Sequence, residues 1–252
     1  MKRPTSFLTS AAFGLLVVAV GGGCNFGQNG IAPPTNRIFL PAGIVADPDD
    51  DFLYVVNSNS DLRFNAGTVV AVDLAKAALV QSCALDPSQA ECQQDPALGS
   101  PRPVCTKTRF SRTEPVPDDY CCVDMLDSNI INCNDPTFVQ NDATVQIGSF
   151  GGAIELQRYE REVSGEVVRR LFVAVRAEPS ITYIDATVAQ TNNPDGSTSN
   201  KVSMRCTGKP LQSGPTPPNA FCDDDWKVRR PGGVTPGALV LPEEPHVLAY
   251  DD

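Results

Sequence analysis

The sequence predicts an all-β fold built from four-stranded antiparallel units, and three observations support this prediction. The stretch from Phe39 to Leu74 reads as three short strands, at Gly43–Ala46, Phe52–Val56 and Thr68–Leu74. These strands are rich in aromatic and β-branched residues, which suit a pleated, half-buried surface. The segments between them are rich in the turn-forming residues Asp, Asn, Gly and Pro, as in the run Asp47–Asp51. The same order of strands then recurs further along the chain.

Two later stretches repeat the order of the first stretch. In that order a turn of small residues leads into a strand, an apolar strand follows, and the next strand ends in Asp. The second copy has strands at Gly151–Leu156, Arg169–Val175 and Ser180–Asp185, and the third has Pro236–Leu241 and His246–Asp251. The fourth strands of the first and second copies are predicted at Thr144–Ser149 and Trp226–Arg230. A four-stranded antiparallel meander is the unit of a β-propeller blade.

The spacing of the copies indicates two long insertions. Ile44, Ile154 and Leu239 occupy matching points and lie 110 and 85 positions apart. Insertions at about 81–143 and 190–225 account for the excess, since their removal leaves about 50 residues per copy, close to one blade. Each insertion follows the third strand of its copy and precedes the fourth. Because alternate connections of a meander emerge on the same side, we expect both insertions on one face.

The first copy also resembles a known repeat. Residues 41–48 read P-x-G-I-x-x-D-P, residues 53–57 read L-Y-V-x-N, and residues 67–74 read G-x-V-x-x-x-D-L. This pattern is similar to the bacterial YVTN-type and lactonase-like β-propeller repeat over about 35 residues. The resemblance implies an architecture and no particular reaction. We therefore predict a partial β-propeller of two four-stranded blades and the start of a third, with two long loop insertions, one of them disulfide-rich.

The N-terminus predicts export and lipidation. Lys2 and Arg3 precede an apolar run of about 14 residues, which is too short to span a bilayer and fits a signal peptide over residues 1–23. Three glycines then lead to Cys24, and this resembles a bacterial lipobox in which Cys24 is lipidated, although Gly21 stands where an aliphatic residue is usual. An ordinary signal peptide and an uncleaved anchor are the alternatives. Because Asn25 is not Asp, the resemblance implies an outer-membrane lipoprotein of the cell envelope, periplasmic or surface-exposed.

Residues 24–37 are rich in Gly, Pro and Asn and predict a flexible tether, followed by the propeller domain at 38–252. Loss of the signal peptide removes two positive charges, so the formal net charge falls from −10 to −12. Nucleic acid needs clustered Lys and Arg, and the longest basic runs are Arg169-Arg170 and Lys227–Arg230. The sequence therefore excludes nucleic acid as a partner and predicts the membrane as one, through the lipid anchor.

The other eight cysteines predict disulfides, because an even number in an exported chain indicates a disulfide framework. They are Cys83, Cys92, Cys105, Cys121, Cys122, Cys133, Cys206 and Cys222. The simplest partition is a local Cys206–Cys222 bridge with three bridges inside the first cluster, for which fifteen connectivities are open. The adjacent Cys121 and Cys122 are expected to bond different partners.

Metal and catalytic sites have weaker signals, so we predict no metal, no cofactor and no catalytic residue. The cysteine spacings lack the short Cys-x2–4-Cys knuckles of zinc sites. Asp47–Asp51 and 192–197 offer oxygens to Ca²⁺, but turn formation explains both runs without an ion. His246 is the only histidine, and no Gly-x-Ser-x-Gly elbow accompanies it.

The leading functional hypothesis is a non-enzymatic surface or periplasmic module that binds an envelope protein or glycan through the inserted face. One alternative is a fragment of a lactonase-like enzyme whose active site needs further blades. Another is a truncated gene product without independent function. The two alternatives follow from the repeat count, because two blades and part of a third cannot close a propeller, which needs about four to eight.

Overall fold

The structure is a computed structural model that describes residues 30–47, 49, 52–86, 88–93, 121–123, 130–160, 167–192, 198–208 and 220–229. The predicted signal peptide, Cys24, Cys105, His246 and the predicted third copy at 236–251 lie outside the described residues. The chain divides into a unit Met1–Ile31, of which only residues 30 and 31 are described, and a unit Ala32–Asp252 that contains every described strand.

Strands account for 55% of the described residues. In chain order they are β1 (Pro41–Ala46), β2 (Phe52–Asn57), β3 (Gly67–Asp73), β4 (Cys121–Val123), β5 (Ile131–Cys133), β6 (Val139–Ile147), β7 (Gly151–Glu160), β8 (Val167–Val175), β9 (Ser180–Asn192), β10 (Thr198–Arg205) and β11 (Lys227–Arg229). The helices are α1 (Leu74–Leu85) and α2 (Ala90–Gln93), and 3₁₀ turns occur at Asp135–Thr137 and Asp224–Trp226. The predicted all-β class is thus confirmed at the level of two antiparallel sheets, while no closed sheet is found among the described residues.

The first sheet, sheet A, is a four-stranded antiparallel meander in the order β1-β2-β3-β6. Its first turn forms as the sequence predicts, because the Asp47 amide donates to the Phe52 carbonyl at 2.8 Å and the Asp47 carboxylate accepts from the Asp49 amide at 2.9 Å. The fourth strand pairs with β3 across the first insertion, with Val69 opposite Val145. It begins five residues before the predicted Thr144 and ends at Ile147.

The start of the first insertion differs from the prediction. The third strand ends at Asp73, and α1 follows at once, so this part of the insertion is helical. Asp73 is the N-cap of α1, and its Oδ1 accepts from the Lys76 amide at 2.8 Å. The helix contains the alanine-rich run Leu74–Ala78, whose residues have high helix propensity. This propensity explains a helix where the cysteines alone had suggested a loop.

The second sheet, sheet B, has the order β7-β8-β9-β10, and β11 also pairs with β9. The long strand β9 carries both partners on one edge, because Ser180–Thr182 pairs with β11 and Asp185–Asn192 pairs with β10. The predicted fourth strand at Trp226–Arg230 is therefore present as β11, with Trp226 in the preceding 3₁₀ turn. The expectation that 190–225 is only a loop is wrong, because a hairpin extends β9 and returns as β10.

The two sheets pack face to face and share one apolar core. Alternate residues of each strand point into it, as the two-residue period of a strand requires. The fully buried members with the largest side chains are Trp226, Tyr54, Phe52, Ile147, Leu171 and Ile184. Trp226 also donates its indole N–H to the Gly208 carbonyl and lies 5.2 Å from the Tyr183 ring, measured between ring centroids.

The outer side of β6 is covered by the second insertion. The Gln146 amide donates to the Ala220 carbonyl at 2.8 Å, and the Cys222 amide donates to the Gln146 carbonyl at 2.9 Å. A disulfide joins Cys222 to Cys206, which directly follows β10. The segment 220–222 is thereby fixed along sheet A by a covalent link to sheet B. An uncovered strand edge would be a template for pairing with other chains.

The segment before β1 contacts sheet A. The Thr144 hydroxyl donates to the Thr35 carbonyl, and the Asn57 side chain donates to the Arg37 carbonyl at 3.0 Å and accepts from the Phe39 amide at 2.9 Å. Hydrogen bonds to the sheet therefore begin three residues before Ile38, where the sequence analysis places the start of the domain.

The close approach of β1 and β7 can be tested with two glycines. A Cβ at Gly43 would overlap the Gly152 carbonyl oxygen, whereas a Cβ at Gly152 would lie 3.7 Å from its nearest neighbour, the Ala174 carbonyl oxygen. We expect Gly43→Ala to lower the free energy of unfolding by about 1–3 kcal/mol, as overpacking does. The matched Gly152→Ala variant should change it by less than about 1 kcal/mol. Urea unfolding measures both, and equal effects would contradict this packing of the sheets.

Candidate functional site

The ends of the first insertion and the β9–β10 hairpin of the second insertion meet at one end of the sheets. The first insertion leaves sheet A after Asp73 and returns at β6. The hairpin β9–β10 of the second insertion extends to the same place. There the Gln140 side chain donates to the Asn200 carbonyl at 3.2 Å and accepts from the Val202 amide at 2.9 Å. A side chain of sheet A therefore bonds directly to the backbone of sheet B.

A cleft of about 380 Å³ opens at this junction. It is lined by Asp73, Gln140, Asp142, Thr191, Ser199, Asn200 and Lys201. The lining consists of two carboxylates, one ammonium, two amides and two hydroxyls. Such groups recognise a polar ligand by hydrogen bonds.

Asp73 sets the shape of the cleft. Its Oδ1 caps α1, while its Oδ2 accepts from the Gln140 side chain at 3.4 Å. One carboxylate thus fixes both the direction of the helix and the side chain that joins the sheets. On the far side, Lys201 Nζ lies 2.7 Å from Asp142 Oδ2, and both side chains are exposed. An exposed ion pair of this kind contributes little to stability. Because both side chains are exposed, their charged groups are accessible to a ligand.

Disulfides hold the first insertion together. Cys83 is bonded to Cys92, and Cys133 is also disulfide-bonded. Cys83, Cys92 and Val80 are buried together and pack against Cys133 and Phe138. The described part of this insertion therefore has a small core of its own. Within the described ranges, no group of three or more His, Cys, Asp or Glu side chains is placed to hold a metal ion.

Asp47 and Asp49, from the acidic run considered above as a Ca²⁺ ligand, form ion pairs with arginines of sheet B. Asp47 is 1% exposed and forms an ion pair with Arg169, which is 5% exposed. Asp49 Oδ2 accepts from Arg169 at 2.6 Å, and its Oδ1 accepts from Arg158 at 3.1 Å. Removal of one partner of a buried pair leaves an uncompensated charge, which is strongly destabilising. Because the two aspartates follow β1 of sheet A and the two arginines lie on β7 and β8 of sheet B, this cluster joins the two sheets.

A second charged cluster lies on β7, β8 and β9 of sheet B. Arg170 makes two hydrogen bonds to Asp185, at 2.7 and 3.0 Å, and its guanidinium carbon lies 5.1 Å from the ring centroid of Tyr159 and 5.0 Å from that of Tyr183. The hydrogen bond to Asp185 raises the pKa of Arg170. Burial raises the pKa of Tyr183, although the positive charge of Arg170 acts in the opposite direction.

Sequence reasoning identified the two insertions and missed the side chains that join them. Gln140, Asp142 and Lys201 lie in stretches that were read as loop. The signal for Asp73 was present, since Asp directly before an alanine-rich run is a typical helix start. Cys83, Cys92, Cys206 and Cys222 form the two disulfides described here, and the Cys206–Cys222 pair is the local bridge expected from the spacing. The backbone of Cys121 pairs with that of Cys133, and Cys122 is opposite Asn132.

Comparisons with known proteins find no matching family model, no matching curated protein and no matching solved structure. Along the described parts of the chain, no helix is long and apolar enough to cross a membrane.

Loss of the Gln140 side chain should loosen the junction between the sheets. We expect Gln140→Ala to lower the free energy of unfolding by about 1–2 kcal/mol, because two backbone groups of β10 lose their partner. Hydrogen exchange at the Val202 amide should accelerate. Thr191→Ala is the control from the same cleft and should change stability by less than about 0.5 kcal/mol. Unchanged exchange at Val202 in Gln140→Ala would contradict this role.

Tyr183 should make the stability fall at high pH. Its pKa is raised in the folded protein, so the unfolded chain releases this proton first. The contribution of Tyr183 to the free energy of unfolding is therefore fully present below the pKa of about 10 in the unfolded chain, and it is lost as pH rises above that value. Tyr183→Phe should flatten the alkaline part of a plot of unfolding free energy against pH, measured by urea unfolding. An unchanged slope in this variant would show that Tyr183 does not cause it.

Proposed function

We propose that this chain is an exported, lipid-anchored, β-propeller-like protein of the bacterial cell envelope that binds an envelope protein or glycan. The binding site in this proposal is the cleft between the two insertions. One observation carries the proposal: side chains from both sheets, Gln140 and Asp142 from one and Lys201 from the other, converge where the first insertion returns to sheet A and meets the β9–β10 hairpin.

The blade interpretation is supported by the similarity of the two sheets. Sheet A and sheet B each run outward from a first strand, β1 or β7, through three antiparallel neighbours. They pack face to face with these first strands side by side, so closely that Gly43 and Gly152 touch. Adjacent blades of a propeller are also successive sheets packed on each other with their first strands innermost. In sheet A the longest connection follows the third strand, β3, and in sheet B it follows the fourth, β10.

Export is supported by the N-terminal sequence and by the disulfides. Disulfides persist in oxidising compartments such as the periplasm and the cell surface. The Cys83–Cys92 and Cys206–Cys222 bridges are compatible with such a location. The anchor at Cys24 is proposed from the sequence. Mass spectrometry of the protein extracted from membranes should therefore find an acylated Cys24 at the mature N-terminus.

Binding is favoured over catalysis by the chemistry of the cleft. A nucleophile needs an adjacent base within hydrogen-bond reach, and such a base is oriented by a third group. In the described part of the cleft, Asp73 and Gln140 are already occupied in holding the helix and the hairpin. The remaining groups are exposed hydrogen-bond donors and acceptors. Long insertions with their own packed core are also typical of binding loops on a rigid scaffold.

Site-specific photo-crosslinking in cells tests this proposal. A photoreactive phenylalanine analogue would replace Ser199 in the cleft or, as a control, Ser60, another exposed serine that lies at the opposite end of the sheets. We expect an adduct at position 199, because an occupied cleft brings C–H bonds of a protein or glycan against the probe. The double change Asp142→Ala and Lys201→Ala should reduce the adduct by about tenfold if the ion pair supplies about 1.4 kcal/mol of binding.

The adduct should be absent at position 60. Equal adducts at both positions would show that the cleft is not selective. No adduct at position 199 under conditions where the chain is acylated and folded would contradict the binding proposal.

A further inference from the structure

The outer edge of β10 carries backbone hydrogen-bonding groups beside the cleft. β10 ends the row of strands in sheet B, and among the described strands only β9 pairs with it. In an antiparallel sheet, alternate residues of an edge strand direct their N–H and C=O toward the neighbouring strand or away from it. The bonds from Gln140 to the Asn200 carbonyl and the Val202 amide show that the even-numbered residues of β10 direct these groups outward.

The Gln140 side chain occupies one repeat of this edge. Its amide donates to the carbonyl of Asn200 and accepts from the N–H of Val202, two residues further on. One residue of a parallel neighbouring strand would make the same two bonds. The distances of 3.2 and 2.9 Å are those of ordinary hydrogen bonds. The edge of β10 therefore already accepts an amide group in strand geometry, supplied by a side chain.

The next repeat of the edge is open. It consists of the Thr198 carbonyl and the Asn200 N–H, which lie two residues, or about 7 Å, along the strand from the pair that Gln140 occupies. Within the described ranges no group bonds to either of them. Thr198 is exposed and Asn200 is half-buried, whereas Val202 is buried. Because Asn200 also lines the cleft, a ligand in the cleft meets this open repeat.

We infer that the cleft binds an extended polypeptide segment, which adds to β10 as a further strand. The inference rests on the proposed binding function of the cleft and selects protein rather than glycan as its ligand. The described lining contains no aliphatic or aromatic side chain that could hold a ligand by apolar contact. In strand addition the main-chain hydrogen bonds supply the affinity. A polypeptide repeats a donor and an acceptor at the spacing of the open edge, and a glycan does not.

The cleft admits a single segment rather than the edge of another folded sheet. β6 lies along its other side, because Gln140 and Asp142 of this strand reach Asn200 and Lys201. A second copy of the chain would have to bring neighbouring strands of its own sheet into the same space. The volume of about 380 Å³ instead suits a ligand of a few residues.

Hydrogen exchange in the unbound full chain tests whether the edge is open. We expect the Asn200 amide to exchange at least about tenfold faster than the Val202 amide, which Gln140 protects. Protection at Asn200 would show that another part of the chain already covers this repeat, and it would overturn the inference.

The matched variants Asn200→Pro and Asn200→Ala test whether the ligand bonds to this amide. Both remove the asparagine side chain, but only proline lacks the N–H. Proline is tolerated on an edge strand where the N–H points away from the sheet. The photoreactive phenylalanine analogue replaces Thr191, which lines the cleft from β9, so that the change at position 200 leaves the backbone at the probe unaltered. Continued protection of the Val202 amide shows that a variant keeps the hairpin.

We expect a polypeptide adduct at position 191, identified by mass spectrometry of the fragments attached to the probe. Asn200→Pro should reduce it about tenfold relative to Asn200→Ala, since loss of a hydrogen bond worth about 1.4 kcal/mol changes affinity by that factor. In the purified adduct of the chain with Asn200 intact, the Asn200 amide should exchange more slowly than in the unbound chain. This measurement tests the same contact without proline.

The outcomes separate the inference from the proposed function. No adduct at positions 191 and 199 would overturn both. A glycan adduct would overturn the inference and leave the binding function standing. Equal adducts in the two Asn200 variants, or an unchanged exchange rate at Asn200 in the adduct, would do the same. An adduct with a second copy of this chain would assign the edge to self-association and would also overturn the inference.

Discussion

The apolar interface between the two sheets is the contact on which the rest of the structure depends. Neither meander could bury its inward face alone, because a single sheet of four strands leaves that face in water. Close packing is possible because Gly43 lacks a side chain where β1 passes the Gly152 carbonyl. The cleft forms only where this packing brings β6 and β10 together. The packing of the core therefore determines the geometry of the candidate binding site.

The ion pair between Asp47 and Arg169 has a different role at the rim of the same interface. A buried pair of charges gains little net free energy, because loss of water offsets the attraction between the charges. Its geometric effect is larger, since Arg169 is held by Asp47 and by Asp49 from a single turn. This arrangement penalises any sliding of one sheet over the other. The apolar core supplies most of the stability, and the ion pair fixes the relative position of the sheets.

The sequence was most informative where a local pattern decides the structure. The strands β1, β2 and β3 follow from β-branched residues between turn-forming runs, and the Asp47–Asp51 turn follows from its own side chains. The sequence does not predict α1, because the cysteine-rich stretch that begins near its C-terminal end is interpreted as a loop. The hairpin β9–β10 was missed because its polar residues lack an apolar period and gain their order by pairing. The cleft was beyond prediction, since Gln140 and Val202 are brought together only by the packing of the sheets.

The Cys206–Cys222 disulfide also determines when the fold can be completed. It holds residues 220–222 along the outer side of β6, together with two backbone hydrogen bonds to Gln146. In a reducing compartment this segment is released more often, and β6 stays open to other partners. Oxidation closes it. Formation of this disulfide therefore completes the cover of β6 and withdraws its outer edge from strand exchange.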